Sequence, residues 1–172
     1  MNTDQITEGA AGQARTGACL DPICVHPRSS VAKDSHVDHL GGSPMTKLRE
    51  DELNALTERI IGCAYKVANT LGCGFLEKVY ENGLAHELRK NGLVVETQKA
   101  VSVIYDGVIV GDYCADLLVE GVILLELKAT KEHHDVFTAI CLNYLKATGK
   151  PICLLLNFGM PRLDVKRYRG RW

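Results

Sequence analysis

Long apolar runs are missing from this sequence. No uninterrupted apolar stretch approaches the roughly 20 residues that a helix needs to cross a bilayer. The amino terminus also lacks the basic start and the following apolar segment of a secretory signal. These two absences lead us to expect a cytoplasmic protein that is neither exported nor inserted into a membrane.

An excess of either charge is also missing. The chain has 20 Lys and Arg residues against 21 Asp and Glu residues, which gives a net charge of -1. A protein that binds a polyanion over its whole surface is strongly basic, so any nucleic-acid surface here must be local. Aromatic residues make up only 6% of the chain while hydrophobic residues make up 46%, which predicts a largely aliphatic core.

Cysteine pairs of the Cys-x-x-Cys type are absent, although the chain has seven cysteines. An odd number of cysteines, mostly embedded in apolar segments, indicates reduced thiols and agrees with a cytoplasmic location. The seven are Cys19, Cys24, Cys63, Cys73, Cys114, Cys141 and Cys153.

Residues 1–44 show no sustained hydrophobic period and are rich in Gly, Ala, Ser, Thr, Asp and Pro. We predict that they form a disordered tail ahead of one domain at residues 45–172. The tail contains cysteines and histidines whose spacing matches no common zinc pattern, so a zinc site is not predicted there. These residues are Cys19, Cys24, His26, His36 and His39.

Helical and β periods are both present in the rest of the chain. Apolar residues at helical spacing predict helices over about residues 46–71, 76–90 and 135–147. Other runs predict strands, and Asp106-Gly107 and Glu120-Gly121 predict tight antiparallel turns between them. The runs are Leu93–Glu96, Val101–Tyr105, Val108–Val110, Tyr113–Val119, Val122–Leu127 and Ile152–Asn157. The predicted order is α-α-β-β-β-α-β, with strands of mixed direction in an α+β (α/β) fold.

The segment GVILLELKAT, residues 121–130, places two charges inside an apolar run of strand length. Side chains alternate along a strand, so Glu126 and Lys128 project from one face. A hairpin that turns at Glu120-Gly121 brings Asp116 of the preceding strand near Glu126. Two carboxylates can hold Mg²⁺, and a lysine beside them can orient water and offset charge on a phosphoryl transition state. The simpler alternative is the solvated face of an edge strand, where charges alternate with leucine and form no site.

Two motifs in the sequence resemble those of a nuclease superfamily. The spacing Asp116-x9-Glu126-x-Lys128 resembles the PD-(D/E)xK signature, and GFLEKVY at residues 74–80 matches the GxxExxY motif of a small bacterial family in that superfamily. The segments ENGLAHELRKNGL, YCADLLVEGVILLELKA and LNYLKATGKPICLLLNFG are similar to family segments in the same order. The resemblance covers about residues 50–165, nearly all of the chain outside the tail.

The resemblance implies a restriction-endonuclease-like core, in which a mixed sheet is flanked by helices. It also implies that Asp116 and Glu126 bind metal, that Lys128 is the catalytic lysine, and that Glu77 is a further carboxylate of the catalytic and metal site. The implied cofactor is Mg²⁺, or Mn²⁺ in its place, and the implied partner is nucleic acid, with DNA favoured. Glu77 also lies at the start of a predicted helix, where the helix dipole favours a carboxylate without any catalytic role.

The third predicted helix departs from the family pattern. Ile140 lies four residues before Tyr144, at a position where the family usually has glutamine, and Phe137 and Thr138 stand where His and Glu are common. An apolar side chain cannot hydrogen-bond a phosphate or a bound water, so these differences indicate reduced activity. Cys114 stands where a basic residue is common, and packing is the favoured interpretation of it.

Other polar residues are interpreted without assigning them to a site. His133 and His134 follow the charged strand, but they have no partner at ligand-like spacing, which favours a solvated loop. Tyr80 and Tyr144 are predicted to pack in helices with a polar tip. A basic patch closes the chain, and either contact with a nucleic-acid backbone or a frayed terminus explains it. The patch contains Arg162, Lys166, Arg167, Arg169 and Arg171, with Tyr168 and Trp172 among them.

Together with the resemblance, the sequence predicts a Mg²⁺-dependent nuclease that hydrolyses phosphodiester bonds in DNA. The alternative is a nuclease-fold protein of weak or no activity that binds nucleic acid or another protein. Ile140 and the near-neutral charge favour this alternative. The two hypotheses share a fold and differ in whether the site at Asp116, Glu126 and Lys128 cleaves its substrate.

Overall fold

The computed structural model describes residues 48–132 and 135–170 of the chain. The predicted tail at residues 1–44, the pair His133 and His134, and the terminal Arg171 and Trp172 lie outside the described residues. Within the described ranges the elements are α1 (Glu50–Leu71), α2 (Glu77–Lys90), β1 (Val95–Tyr105), β2 (Val108–Val119), β3 (Ile123–Lys128), α3 (Asp135–Thr148), β4 (Ile152–Asn157) and β5 (Asp164–Arg169). None of the described helices is long and apolar enough to span a membrane.

The five strands form one mixed sheet in the order β1-β2-β3-β4-β5. Strands β3 and β4 are parallel, whereas the other neighbouring pairs are antiparallel. The turns β1–β2 and β2–β3 each contain two successive residues of positive φ, Asp106-Gly107 and Glu120-Gly121. Two such residues define the type I′ turn, whose twist suits a two-residue hairpin. The predicted mixed sheet and both predicted hairpin turns are therefore confirmed.

Strand β5 is an element that the sequence analysis missed. Residues Asp164–Arg169 pair with β4 along their whole length, where we had expected either a frayed terminus or a contact with nucleic acid. Charged side chains are typical of edge strands, because they discourage pairing with another chain, but they hide the β pattern in the sequence. Arg167 and Arg169 both form ion pairs with Glu50 of α1, which link this edge strand to the helix.

Helices cover both faces of the sheet and create two apolar clusters. Helices α1 and α2 pack on one face, where Ile60, Leu84 and Leu125 are fully buried. Helix α3 packs on the other face, where Leu124 and Leu145 are fully buried. Apolar residues thus alternate along β3 between the two clusters, as expected for a strand buried on both sides.

Strands β2 and β3 separate partway along their length. They pair only from Leu117↔Leu125 to Val119↔Ile123, whereas β2 continues to pair with β1 as far as Val108 and β3 continues to pair with β4 as far as Lys128. We call this divergence, with Asp116 on β2 and Glu126 on β3, the strand fork. The sheet is therefore open between β2 and β3 at the strand fork, and the side chains there lie beside this gap.

A buried asparagine joins the ends of the two parallel strands. The side-chain oxygen of Asn157 accepts hydrogen bonds from the backbone N–H groups of Thr130 and Gly159, at 3.2 and 3.0 Å, and its amide nitrogen donates to the Thr130 carbonyl at 2.9 Å. The backbone at Gly159 lies so close to Thr130 that a Cβ atom there would be 2.3 Å from the Thr130 nitrogen. This contact fixes the chain just after Lys128.

Replacement of Gly159 by alanine is expected to lower the free energy of unfolding by about 1–3 kcal/mol, because the new methyl group overlaps the Thr130 backbone. The matched control is Gly62→Ala in α1, where the added Cβ meets no atom within 4 Å apart from the adjacent residues and the backbone of the helix itself. That change should raise the free energy of unfolding by about 0.5–1 kcal/mol through helix propensity. Urea denaturation measures both, and equal stabilities of the two variants would contradict the close contact.

Candidate active site

Three of the four predicted site residues meet at the strand fork. The β2–β3 register, continued by one residue beyond Leu117↔Leu125, sets Asp116 opposite Glu126. Glu126 and Lys128 share the face of β3 that is covered by α3, and their side chains are 6% and 15% exposed. Their burial rules out the solvated face that the sequence left as an alternative.

The carboxylate of Asp116 completes the backbone hydrogen bonding where the strands diverge. Its Oδ2 atom accepts a hydrogen bond of 2.7 Å from the backbone N–H of Leu127. A buried N–H group needs an acceptor, and the backbone pairing between β2 and β3 has already ended at this point. The hydrogen bond fixes the Asp116 side chain beside Glu126.

Lys128 links the strand to helix α2. Its Nζ atom lies 3.0 Å from Oε1 of Glu126 and 3.5 Å from Oε1 of Glu77, the first residue of α2. The same ammonium lies 5.3 Å from the centre of the Phe137 ring on α3, within the range of a cation–π interaction. The fourth predicted residue, Glu77, therefore reaches the site through Lys128.

Tyr80 positions the start of α2 against the end of β3. Its hydroxyl donates to the Gly72 carbonyl at 2.8 Å and accepts from the Phe75 N–H at 3.2 Å, which holds the loop before Glu77. Its ring stacks on Phe158 with centroids 4.7 Å apart, and the Phe158 N–H donates to the Lys128 carbonyl at 2.7 Å. The prediction that Tyr80 packs in a helix with a polar tip is confirmed.

The buried charges shift the proton affinities of the site. Burial, and then the negative charge of Asp116, raise the pKa of Glu126 from its ordinary value of 4.5 to about 7. Burial also raises the pKa of Asp116, although the Leu127 hydrogen bond and Lys128 oppose this shift. For Lys128, burial lowers the pKa, but the carboxylates of Glu126 and Glu77 outweigh it and the net pKa is raised. The lysine therefore stays charged while the two strand carboxylates compete for protons.

One oxygen of the site is buried without a partner. Oε2 of Glu126 finds no hydrogen-bond partner among the described residues, and a buried carboxylate oxygen is costly in that state. Carboxylate oxygens are the ligands that Mg²⁺ prefers, and this ion commonly uses one or two of them and keeps several waters. The oxygens of Asp116 and Glu126 are ligands of this kind. Within residues 48–132 and 135–170, however, no three His, Cys, Asp or Glu side chains converge into a ready metal-binding group.

Helix α3 contributes packing to the site. Tyr144 is buried, as predicted, and its hydroxyl donates to the Cys114 carbonyl at 2.8 Å. Burial and the nearby charges of Glu126 and Asp116 raise the pKa of Tyr144. Ile140 packs against the apolar cluster on the α3 face, and Thr138 hydrogen-bonds the Tyr168 hydroxyl at 2.8 Å.

Two polar residues near the site were missed by the sequence analysis. Glu81 of α2 is a buried carboxylate that accepts hydrogen bonds from Lys78 at 2.6 Å and from Gln98 of β1 at 2.9 Å. Its position, one helical turn after Glu77, was the signal that could have placed it on the same face of α2. The position of Gln98 depends on strand pairing and has no comparable signal.

The described fold agrees with the comparison to known families. The family profile described as the PD-(D/E)XK nuclease superfamily matches residues 54–168. This match covers more than half of the chain, and the chain belongs to that superfamily. The predicted superfamily is therefore confirmed, while membership of the GxxExxY group stays a prediction.

Comparison with solved structures gave a similarity to an alkaline exonuclease from Laribacter hongkongensis. The two chains are 14% identical, with a TM-score of 0.41 over 73% of this chain and 72% of the exonuclease chain. A search of curated protein sequences found no match.

Replacement of Glu126 by glutamine tests the raised pKa. The folded protein binds more protons than the unfolded chain between about pH 4.5 and 7, so the wild type should lose stability as pH rises through this window. Glutamine stays neutral, so Glu126→Gln should match the wild type near pH 5 and exceed its free energy of unfolding by about 3 kcal/mol near pH 8.

Glu87→Gln is the matched control, because the hydrogen bond from Lys66 lowers the pKa of Glu87. That variant should be less stable than the wild type near pH 8, the opposite direction. Urea denaturation at both pH values gives the measurement. Parallel pH profiles of the wild type and Glu126→Gln would contradict the assigned pKa.

Proposed function

We propose that this protein is a divalent-cation-dependent nuclease that hydrolyses phosphodiester bonds in DNA. The observation that carries the proposal is the strand fork, where the buried Glu126 has an oxygen without a partner beside Asp116 and Lys128. Membership of the nuclease superfamily supports nucleic acid as the class of substrate. The GFLEKVY segment favours the GxxExxY group within it, and the odd number of cysteines without a Cys-x-x-Cys pair favours a cytoplasmic location. The regular patterning of the chain favours residues 45–172 as the nuclease domain.

Asp116 and Glu126 would hold the cation, with Mg²⁺ as the first candidate and Mn²⁺ as the second. A cation held there would polarise the scissile phosphate and would lower the pKa of a bound water. The Leu127 N–H orients the Asp116 carboxylate before any ligand arrives. Such prior orientation is an advantage, because the carboxylate then needs little rearrangement to act.

Lys128 would offset negative charge on the phosphate as the bond to the leaving oxygen breaks. Its ammonium stays charged because Glu126 and Glu77 both raise its pKa. The two carboxylates also fix the position of the ammonium, and the Phe137 ring covers one side of it. Fixed charges in a site of reduced water content stabilise a transition state more strongly than mobile charges in water do.

The sequence left two roles open for Glu77: a carboxylate of the catalytic site, or a charge that favours the start of a helix. Its carboxylate is 40% exposed and contacts Lys128 at 3.5 Å. It can hold the lysine in place or accept a proton from the attacking water, and both actions need a carboxylate at the start of α2. We therefore assign it to the site as the partner of Lys128.

A second candidate function is nucleic-acid binding without cleavage. Ile140 favours this candidate, because it packs against apolar residues on the α3 face and offers no hydrogen bond to a phosphate or water. The two candidates predict the same fold and similar binding. They differ in whether the phosphodiester bond is broken.

Cleavage assays with Mg²⁺ or Mn²⁺ test the proposal on single-stranded DNA, double-stranded DNA and RNA of the same sequence. We expect cation-dependent cutting of DNA by the wild type. Asp116→Asn and Lys128→Ala should each reduce the rate by about a hundredfold or more, because each removes charge aimed at the reacting phosphate. Circular dichroism of each variant checks that it is folded.

Lys131→Ala is the matched control, since Lys131 is an exposed lysine just beyond β3. This variant should cut within about twofold of the wild-type rate, as expected for a surface charge. Equal residual cutting by Asp116→Asn, Lys128→Ala and the wild type would show a contaminating nuclease and reject the proposal. Salt-dependent DNA binding without any cutting would establish the second candidate.

A further inference from the structure

Gln98 has an unusual backbone conformation at the strand fork. It lies inside β1 with a φ of 52°, in the left-handed region that residues other than glycine rarely adopt. The pairs on either side of it are Thr97↔Leu117 and Lys99↔Ala115, so it lies opposite Asp116. A strained residue inside a strand persists only where its surroundings hold it, and such residues cluster at functional sites.

The Gln98 side chain is held at both ends of its amide. Its Nε2 atom donates to Oε2 of Glu81 at 2.9 Å, and its Oε1 atom accepts from the Cys114 thiol at 3.4 Å. Glu81 is 4% exposed and also accepts from the Lys78 ammonium at 2.6 Å, which balances its buried charge. These contacts connect α2 through β1 to β2, two residues before Asp116.

Strand β2 is held at Cys114 from two directions. The Cys114 thiol contacts Gln98, while the Cys114 carbonyl accepts the hydroxyl proton of Tyr144 from α3. Both contacts act on the part of β2 that does not pair with β3, just before its first pair with that strand, Leu117↔Leu125. They therefore fix the position of β2 two residues before Asp116.

Helix α2 contacts both sides of the strand fork through residues one turn apart. Glu77 contacts Lys128 on the β3 side, and Glu81 contacts Gln98 on the β1–β2 side. Residues four apart on a helix share a face, so their separation is fixed by the helix itself. A rigid helix that contacts both sides sets the distance between them.

We propose that Glu81 and Gln98 are positioning residues that hold β2 at the strand fork, so that the Asp116 carboxylate lies beside Glu126. Their role in cation binding and catalysis rests on the proposed function. The positioning itself is a property of the protein without cation. The hydrogen bond from the Leu127 N–H to Asp116 reports on it directly.

Amide hydrogen exchange in the full-length protein without cation provides the test. Gln98→Gly suits it well, because glycine accepts the left-handed conformation while the two side-chain hydrogen bonds are lost. We expect this variant to keep a melting temperature close to that of the wild type. Protection of the Leu127 amide should fall by about tenfold or more, while amides of β4 keep their protection.

Glu81→Ala should give the same local loss at Leu127, because it leaves the Gln98 amide without its acceptor. Glu81→Gln retains an acceptor oxygen and should restore most of the protection. Glu87→Gln is the matched control, since Glu87 is another buried glutamate of α2, paired with Lys66 and Asn91 at the opposite end of the helix. This control should lower the protection of the Leu127 amide no more than it lowers the protection of the β4 amides.

Cation binding and cleavage by the same variants complete the test. Gln98→Gly should weaken binding of Mn²⁺, measured by calorimetry, by about tenfold and lower kcat more than it raises KM, because the substrate contacts remain. Unchanged Leu127 protection in folded Gln98→Gly would overturn the inference, and so would an equal loss of protection across the whole sheet. Loss confined to Leu127 in a protein that neither binds cation nor cuts DNA would support the positioning and reject the proposed function.

Discussion

The hydrogen bond from the Leu127 N–H to the Asp116 carboxylate is the interaction on which the site depends. It lies where β2 leaves β3, so the acidic side chain takes over the role of a missing backbone acceptor. Because the Asp116 side chain accepts the hydrogen bond of the Leu127 N–H, the strands can separate without leaving this buried group unsatisfied. The same step brings Asp116 opposite Glu126. Fold and site are therefore built by one contact, and a change that closes the strand fork also removes the carboxylate pair.

Burial of these charges has a cost that the site only partly offsets. Lys128 balances Glu126 and Glu77, but burial and the charge of Asp116 still raise the pKa of Glu126, and burial raises the pKa of Asp116. One oxygen of Glu126 also keeps no partner among the described residues. A fold selected for stability alone would be expected to place apolar residues here. A buried cluster whose negative charge is only partly balanced is instead typical of a site that binds a cation or a charged substrate. The unfavourable energy is thus an argument for function.

The sequence predicted the parts of the fold that depend on local pattern. The helical periods gave α1, α2 and α3 close to their observed bounds, and the apolar run gave β4 as Ile152–Asn157. Alternation in β3 and the turn at Glu120-Gly121 were enough to predict that Asp116, Glu126 and Lys128 lie close together. Strand β5 was missed because its charged residues suit an edge strand and carry no apolar alternation. Gln98 could not be found, because its contact with Glu81 depends on tertiary packing and on a backbone conformation that glutamine does not favour.

The departures in α3 take on a different meaning in the structure. Phe137 and Ile140 first indicated a loss of polar support for the site, since neither can hydrogen-bond a phosphate. The structure places the Phe137 ring over the Lys128 ammonium and Ile140 against the apolar cluster beside it. An aromatic face attracts a cation without competing for its hydrogen bonds, and apolar neighbours strengthen the pairing of Lys128 with Glu126 by excluding water. Helix α3 therefore supports Lys128 through the Phe137 ring and through apolar packing. Glu126 on β3 and Glu77 on α2 supply the carboxylate partners of the lysine.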